Sequence, residues 1–279
     1  MTSLEPEVRQ QAYDELFDWL CHQCTPTEVA PAATPFLLEL LEADSPADKA
    51  NVIELLALLI DCNPNITLQA EVDVLRTFVA SSPEIPSFMR EELVDSGARS
   101  LEWSRRAHKI ARQGVERFIK LLHDEDANVR VRTAYLLSRF STPANAARIA
   151  PHLVGRVRED PHEGLRGHAL KCLTKLQRGV DESTFKQLVR RSFQEDPSLF
   201  VQWIAARIVL VEGMSDLEGP ATKLLQRVHD APEELEPLYG DCSGGLLAEG
   251  VARHSELALQ GRDTMGIRYP QLPLSRRNR

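Results

Sequence analysis

The chain has 279 residues, 33 basic against 41 acidic side chains, a formal charge of -8 and 43% hydrophobic residues. That length exceeds one small core, and the negative balance argues against a general nucleic-acid binder. The average hides an asymmetry: residues 1–98 carry 4 Lys and Arg against 18 Asp and Glu, residues 99–191 carry 20 against 10, and residues 192–279 carry 9 against 13.

In chain order, the first segment, with Glu5 and Glu7 early and no long apolar run, predicts no secretory signal. It predicts a helix from about Glu5 to Cys21 that gathers Val8, Ala12, Leu16 and Trp19 or Leu20 on one face. Cys21 and Cys24 around His22 make a lone CxxC. Structural zinc needs four ligands and no second such pair follows, so no metal site and no cofactor is predicted. The five cysteines, Cys21, Cys24, Cys62, Cys172 and Cys242, are scattered and odd in number, which predicts reduced thiols in a cytoplasmic protein. Pro31 and Pro35 suit a first helical turn or a bend, and Phe36, Leu37, Leu40 and Leu41 form the next apolar stripe. A third helix runs through Ile53, Leu56, Leu59 and Ile60. Val52 to Ile60, the longest apolar stretch, is broken by Glu54 and is far too short to span a membrane. Ile66 to Ala80 predicts another helix. Ser87 to Leu122 is helical in composition, with a division into two helices expected near Gly97.

From Phe118 the pattern becomes periodic. A stride of 36 residues carries Asp124 to Asp160 to Asp196, Val129 to Leu165 to Val201, Thr133 to Ala169 to Ala205, and Leu137 to Leu173 to Val209. Each period reads as an outer helix, an acidic turn and an inner helix, and self-similarity at this spacing is the signature of stacked helical repeats. Arg130 and Arg166 stand six residues beyond Asp124 and Asp160, from where each can reach an aspartate of its own or the neighbouring repeat. Gln202 takes the equivalent place in the third repeat, where a ladder of such pairs would stop. Pro143 and Pro220 fall where outer helices begin, and Pro151 falls inside one. After Gly213 the regularity fades into helices over about Asp216 to His229, Pro232 to Tyr239 and Gly244 to Gln260. The organisation expected is acidic capping repeats over residues 1–98, central basic repeats over 99–213, C-terminal capping helices over 214–260 and a loosely ordered tail over 261–279.

Asp followed six residues later by Arg, behind an LL-containing outer helix and ahead of a VRxxAAxAL-like inner helix, resembles the HEAT repeat at residues 118–140, 154–176 and 190–211. The stretch from His22-Gln23 to Leu41 resembles a group of largely uncharacterised bacterial HEAT-repeat proteins. The resemblance implies an all-α, right-handed α-solenoid of antiparallel helix pairs whose inner helices line a concave face. It implies no single activity, because fold does not give function.

On such a face, the stripe beside the core positions carries Arg132, Tyr135 and Arg139, then His168, Lys171 and Lys175, then Ile204, Arg207 and Val211. Seven of these nine are cationic or polar aromatic and form the candidate partner-binding set; a solvated face is the plain alternative. Asp124, Arg130, Asp160, Arg166 and Asp196 are assigned to a structural ladder instead. A second basic run, Arg99, Arg105, Arg106, Lys109, Arg112, Arg117 and Lys120, contains Arg105, Lys109, Arg112 and Glu116 on one helical face and reads as an exposed outer surface.

No catalytic residue is predicted, since GxSxG, HExxH, Walker and dinucleotide-binding patterns are all missing. The leading expectation is a non-enzymatic scaffold that binds a partner protein, acidic at the contact, through the concave surface. The runner-up is a nucleic-acid-binding protein resembling the HEAT-like alkylpurine DNA glycosylases, which would use the basic block with Trp103 and Trp203; no position matches their catalytic aspartate. A phycobilin-lyase reading finds no discriminating motif. Self-association, with the acidic third of one copy on the basic middle of another, stays open. A membrane partner is not expected.

Overall fold

A computed structural model describes residues 5–22, 25–42, 49–176, 179–235 and 248–261. These residues are helical except for turns and one antiparallel pair of two-residue strands, β1 (Cys21–His22) and β2 (Thr25–Pro26). None of the described helices is long and apolar enough to cross a membrane. The expected all-α class therefore holds. The chain divides into two compact units, one running to Phe118 and a second beginning at Ile119, well past the charge boundary near residue 98.

The first unit holds α1 (Pro6–Leu20), α2 (Ala30–Leu40), α3 (Lys49–Leu59), α4 (Leu68–Ser81) and α5 (Ser87–Ala111), followed by a 3-10 turn, Arg112–Gly114, and the start of α6 (Val115–Leu121). Helix α3 is apolar on nearly every side, with Val52, Ile53, Leu55, Leu56, Ala57 and Leu59 all buried, as a helix packed on several neighbours must be. By contrast α1 buries Leu20 alone, and Val8 and Trp19 of its predicted apolar face are exposed. Helix α5 packs on both α2 and α4 and runs unbroken through Gly97. The expected division fails because that glycine serves a close approach: a methyl group there would run into Leu75 of α4. The break comes instead at the 3-10 turn ending in Gly114, where a methyl would meet Phe118 and Leu38.

Three arginines fasten the loops of this unit. Arg105 reaches Glu71 at 2.7 Å and donates to the carbonyls of Asn63 and Ile66, while Glu71 also accepts from the Asn63 N–H at 2.8 Å. Arg90 donates to Ala80, Ser82 and Ile85 carbonyls at the open end of α4. Arg117 donates to the Leu38 carbonyl at 2.7 Å and pairs with Glu42. Such bonds satisfy carbonyls left over at helix ends.

The second unit continues with α7 (Ala127–Leu137), α8 (Pro143–Glu159), α9 (Glu163–Lys175), α10 (Glu182–Glu195), α11 (Leu199–Val211), α12 (Glu218–Asp230), a 3-10 turn at Pro232–Glu234, and α13 (Ala248–Leu259). The inner helices pack in a row, α7 on α9 and α9 on α11, with α8 against α9, and with α10 and α12 against α11. Val129, Leu165, Val201, Thr133, Ala169, Ala205, Leu137, Leu173 and Val209 are all buried, so the 36-residue stride is a stride through the core. Helix α11 ends where Gly213 adopts φ +61°; its N–H bonds the Leu210 carbonyl, and that of Met214 bonds the Val209 carbonyl. This left-handed closing turn favours glycine, and it ends the periodic stretch. The expected segment from Pro232 to Tyr239 and the tail after Gly261 lie largely outside the described residues.

Candidate functional site

Each inner helix is preceded by the same turn. The carboxylates of Asp124, Asp160 and Asp196 accept the N–H two residues on, at Asp126, His162 and Ser198, with distances of 3.1, 3.0 and 2.9 Å. The helix caps lie two residues later than the aspartates: Asp126 accepts from Asn128, and His162 Nδ1 from Leu165. Arg130 and Arg166 then do two things at once. The Arg130 guanidinium donates to the carbonyls of Asp124 and Glu125 in its own turn, and through Nε and Nη2 it grips the Asp160 carboxylate of the next repeat at 3.1 and 3.0 Å. Arg166 repeats this with the carbonyls of Asp160 and Pro161 and the Asp196 carboxylate, at 2.8 and 2.9 Å. Gln202 keeps only the first half, donating to the Asp196 carbonyl at 2.7 Å. The forked geometry of arginine makes the double role available, and the shorter amide does not reach onward.

The candidate partner-binding stripe separates into two groups. Arg132 and Tyr135 of α7 and Lys171 and Lys175 of α9 are partly exposed. Arg139, His168 and Arg207 are buried, contrary to the expected surface position, each for its own reason. Helix α7 stops at Leu137, so Arg139 lies beyond the helix, on its closing turn. Its guanidinium sits 4.6 Å over the Tyr135 ring and donates to the Tyr135 hydroxyl. His168 faces Phe200 of α11, ring centres 5.5 Å apart, with Nε2 buried and lacking a hydrogen bond; burial, then Lys171 and His162, push its pKa down to about 3. It is a neutral core imidazole.

Arg207 is covered by the chain itself. Helix α13 packs across α11 and α12, bringing His254 Nδ1 to 3.4 Å from Arg207 Nη2 and Ser255 Oγ to 2.9 Å from the Trp203 indole N–H. The Arg207 guanidinium stacks on the Trp203 ring at 4.7 Å. Trp203 is fully buried, as its Ile204-Ala205-Ala206 surroundings suggest, and is not placed to stack on a base. The sequence reading missed this latch, for nothing in the local pattern links positions 203 and 255.

The second basic run also divides. Arg105 is an internal tie rather than part of an outer face, whereas Arg99, Arg106, Lys109 and Arg112 are exposed together with Glu116. The exposed face of α5 begins with Glu91, Glu92 and Asp95 and ends with the cations, which matches the helix dipole. Of the basic block, Arg105, Arg117, Arg130 and Arg166 are engaged in internal bonds, which leaves a patchier cationic surface than the composition suggests.

No group of three metal-ligating side chains is brought together among the described residues. Cys21 is buried, and Cys24 lies outside the described residues. Cys172 packs against the end of α7, its thiol pKa raised by burial against the opposing pull of Lys175, Lys171, the Ser138 hydrogen bond and Arg139; it is poorly disposed to act as a nucleophile. What the α7 and α9 face offers chemically is positive charge with one phenol. Comparison of the chain with protein-family models, with curated proteins and with solved structures finds no match.

Proposed function

We propose that the second unit is a short HEAT-like α-solenoid of antiparallel helix pairs, right-handed, and that it works without chemistry of its own as a cytoplasmic scaffold. It holds an acidic segment of a partner protein along Arg132, Tyr135, Lys171 and Lys175, with Arg139 behind them. The observation that supports this most is the repeated double grip of Arg130 and Arg166: it holds α7 and α9 in the same relation to successive turns, and cations one repeat apart then lie on neighbouring helices. The face is shorter than the stripe first drawn, because α13 takes the place of a partner on α11. The rest of the reading draws on the resemblance of residues 118–140, 154–176 and 190–211 to HEAT repeats and, for the compartment, on the odd number and scattered placing of the five cysteines.

Zero-length coupling of lysine amines to carboxylates, applied to the chain captured with its partner, tests the face. Links from Lys171 and Lys175 to acidic residues of the partner are expected. Links confined to Lys109, Lys186 or Lys223 would place the partner elsewhere and defeat the proposal.

A further inference from the structure

The acidic side chains of α1 and the cations on the second half of α5 belong to the same compact unit yet do not meet within it. On α1, Glu7, Gln11, Asp14 and Asp18 are exposed at steps of four, three and four residues, a single stripe on a helix, with exposed Glu15 beside it. Val8, 47% exposed, and Trp19, 75% exposed, flank the stripe on one side. On α5 and the turn after it, Arg99, Arg106, Lys109 and Arg112 are exposed, with Glu102 the one acidic residue exposed among them. None of these four cations, nor Glu7, Asp14, Glu15 or Asp18, joins an ion pair among the described residues. At about 1.5 Å of rise per residue, the acidic row from Glu7 to Asp18 is roughly 16 Å long, and Arg99, Arg106 and Lys109, which share one side of α5, form a basic row of roughly 15 Å with Arg112 turned away beyond the helix end.

We propose that two copies of this chain pair about a two-fold axis, the acidic row of α1 in each lying along the basic row of α5 in the other. Opposite sign and matched length are what charge complementarity requires. A second copy is the occupant because the complementary row is carried by the same molecule. With both rows on one unit, a two-fold axis satisfies the two contacts together and closes the assembly, whereas single use of each row would leave an open chain. Trp19 supplies the apolar anchor: a tryptophan at the end of an acidic row can pack on the guanidinium or the aliphatic stem of a facing arginine. Two contacts one helix long belong to the weak class of interfaces, so the dimer is sensitive to salt. This pairing does not depend on the face of α7 and α9.

Light scattering on the full chain tests it. A dimer mass is expected at low salt, about 10 mM, where the Debye length is roughly 30 Å, and a monomer mass near about 1 M, where it is roughly 3 Å. The double variant Asp14→Lys with Asp18→Lys, and the double variant Arg106→Glu with Lys109→Glu, are each expected to be monomeric at low salt, while their equimolar mixture forms a dimer containing one of each. If a reversal disturbs the helical circular dichroism, Asp14→Asn with Asp18→Asn replaces it and is expected to lower the dimer fraction at low salt. A wild-type monomer at low salt, variants that stay dimeric, or a mixture that stays monomeric would each overturn the proposal.

Discussion

The Arg130 guanidinium lies along the Asp160 carboxylate of the following repeat, Nε to Oδ2 at 3.1 Å and Nη2 to Oδ1 at 3.0 Å, and the aspartate side chain is only 1% exposed. Asp160 also accepts from Arg156 at 3.3 Å. Removing the carboxylate would leave a buried guanidinium without its counter-charge, so Asp160→Ala should lower stability by about 3–5 kcal/mol. Asp196, with 11% of its side chain exposed, should be less sensitive. Urea denaturation of single and double variants checks this: Arg130→Met added to Asp160→Ala should cost less than the sum of the two, and additive losses would deny the coupling.

His168 gives the fold an acid sensitivity of definite sign. Its pKa is about 3 in the folded chain and near 6.5 when unfolded, so between those values the unfolded state binds the extra proton. The neutral imidazole's contribution is fully present above pH 6.5 and is lost as pH falls toward 3, with a slope of at most about 1.4 kcal/mol per pH unit. The third repeat has Ile204 at the equivalent position. Stability measured across this range should therefore fall less steeply in His168→Ile than in the wild type, and parallel curves would contradict the assignment.

At Gly167 the backbone of α9 lies close against Phe200 of α11. A methyl group at that position would press on Cε1 and Cδ1 of the fully buried Phe200 ring, which has no room to withdraw. Gly167→Ala should therefore destabilise by about 1–3 kcal/mol, although alanine is the better helix former. Pairing it with Phe200→Leu should recover part of the loss; thermal melts of the three variants decide the matter.

The latch between α11 and α13 rests on a hydrogen bond in a site closed to water. Ser255, fully buried, accepts the Trp203 indole N–H and donates to the Val251 carbonyl at 3.0 Å. Ser255→Ala strands the indole donor, which should cost about 1–3 kcal/mol. Hydrogen exchange should then quicken in α13 while α7 and α9 keep their protection. Uniform quickening of the whole unit would show that α13 is integral to the fold rather than a separable cover.

The periodic part of this fold is legible in the sequence because one set of contacts recurs: an aspartate at each turn, an arginine six residues on in the first two repeats with Gln202 in the third, and apolar residues at fixed offsets, all within 36 residues. Burial of the stripe residues is not legible in the same way. Arg139 turns inward because α7 ends two residues before it, and Arg207 is covered by a helix that begins more than 40 residues later. Gly97 reads as a break in one dimension and proves to be a close contact with Leu75 in three. Arg105 reads as surface because Glu71, its partner, is 34 residues away with no repeat to signal it. Long-range contacts that occur once leave no period to find.

The face of α7 and α9 is tested most directly by quantitative capture with the triple variant Arg132→Glu, Lys171→Glu, Lys175→Glu against a control, Arg148→Glu with Arg158→Glu, that reverses exposed charges on α8. Both variants should retain wild-type circular dichroism and melting behaviour. Loss of the partner by at least about tenfold in the triple variant, with the control unchanged, is the predicted result, equivalent to about 1.4 kcal/mol or more. Equal capture by all three proteins would contradict it.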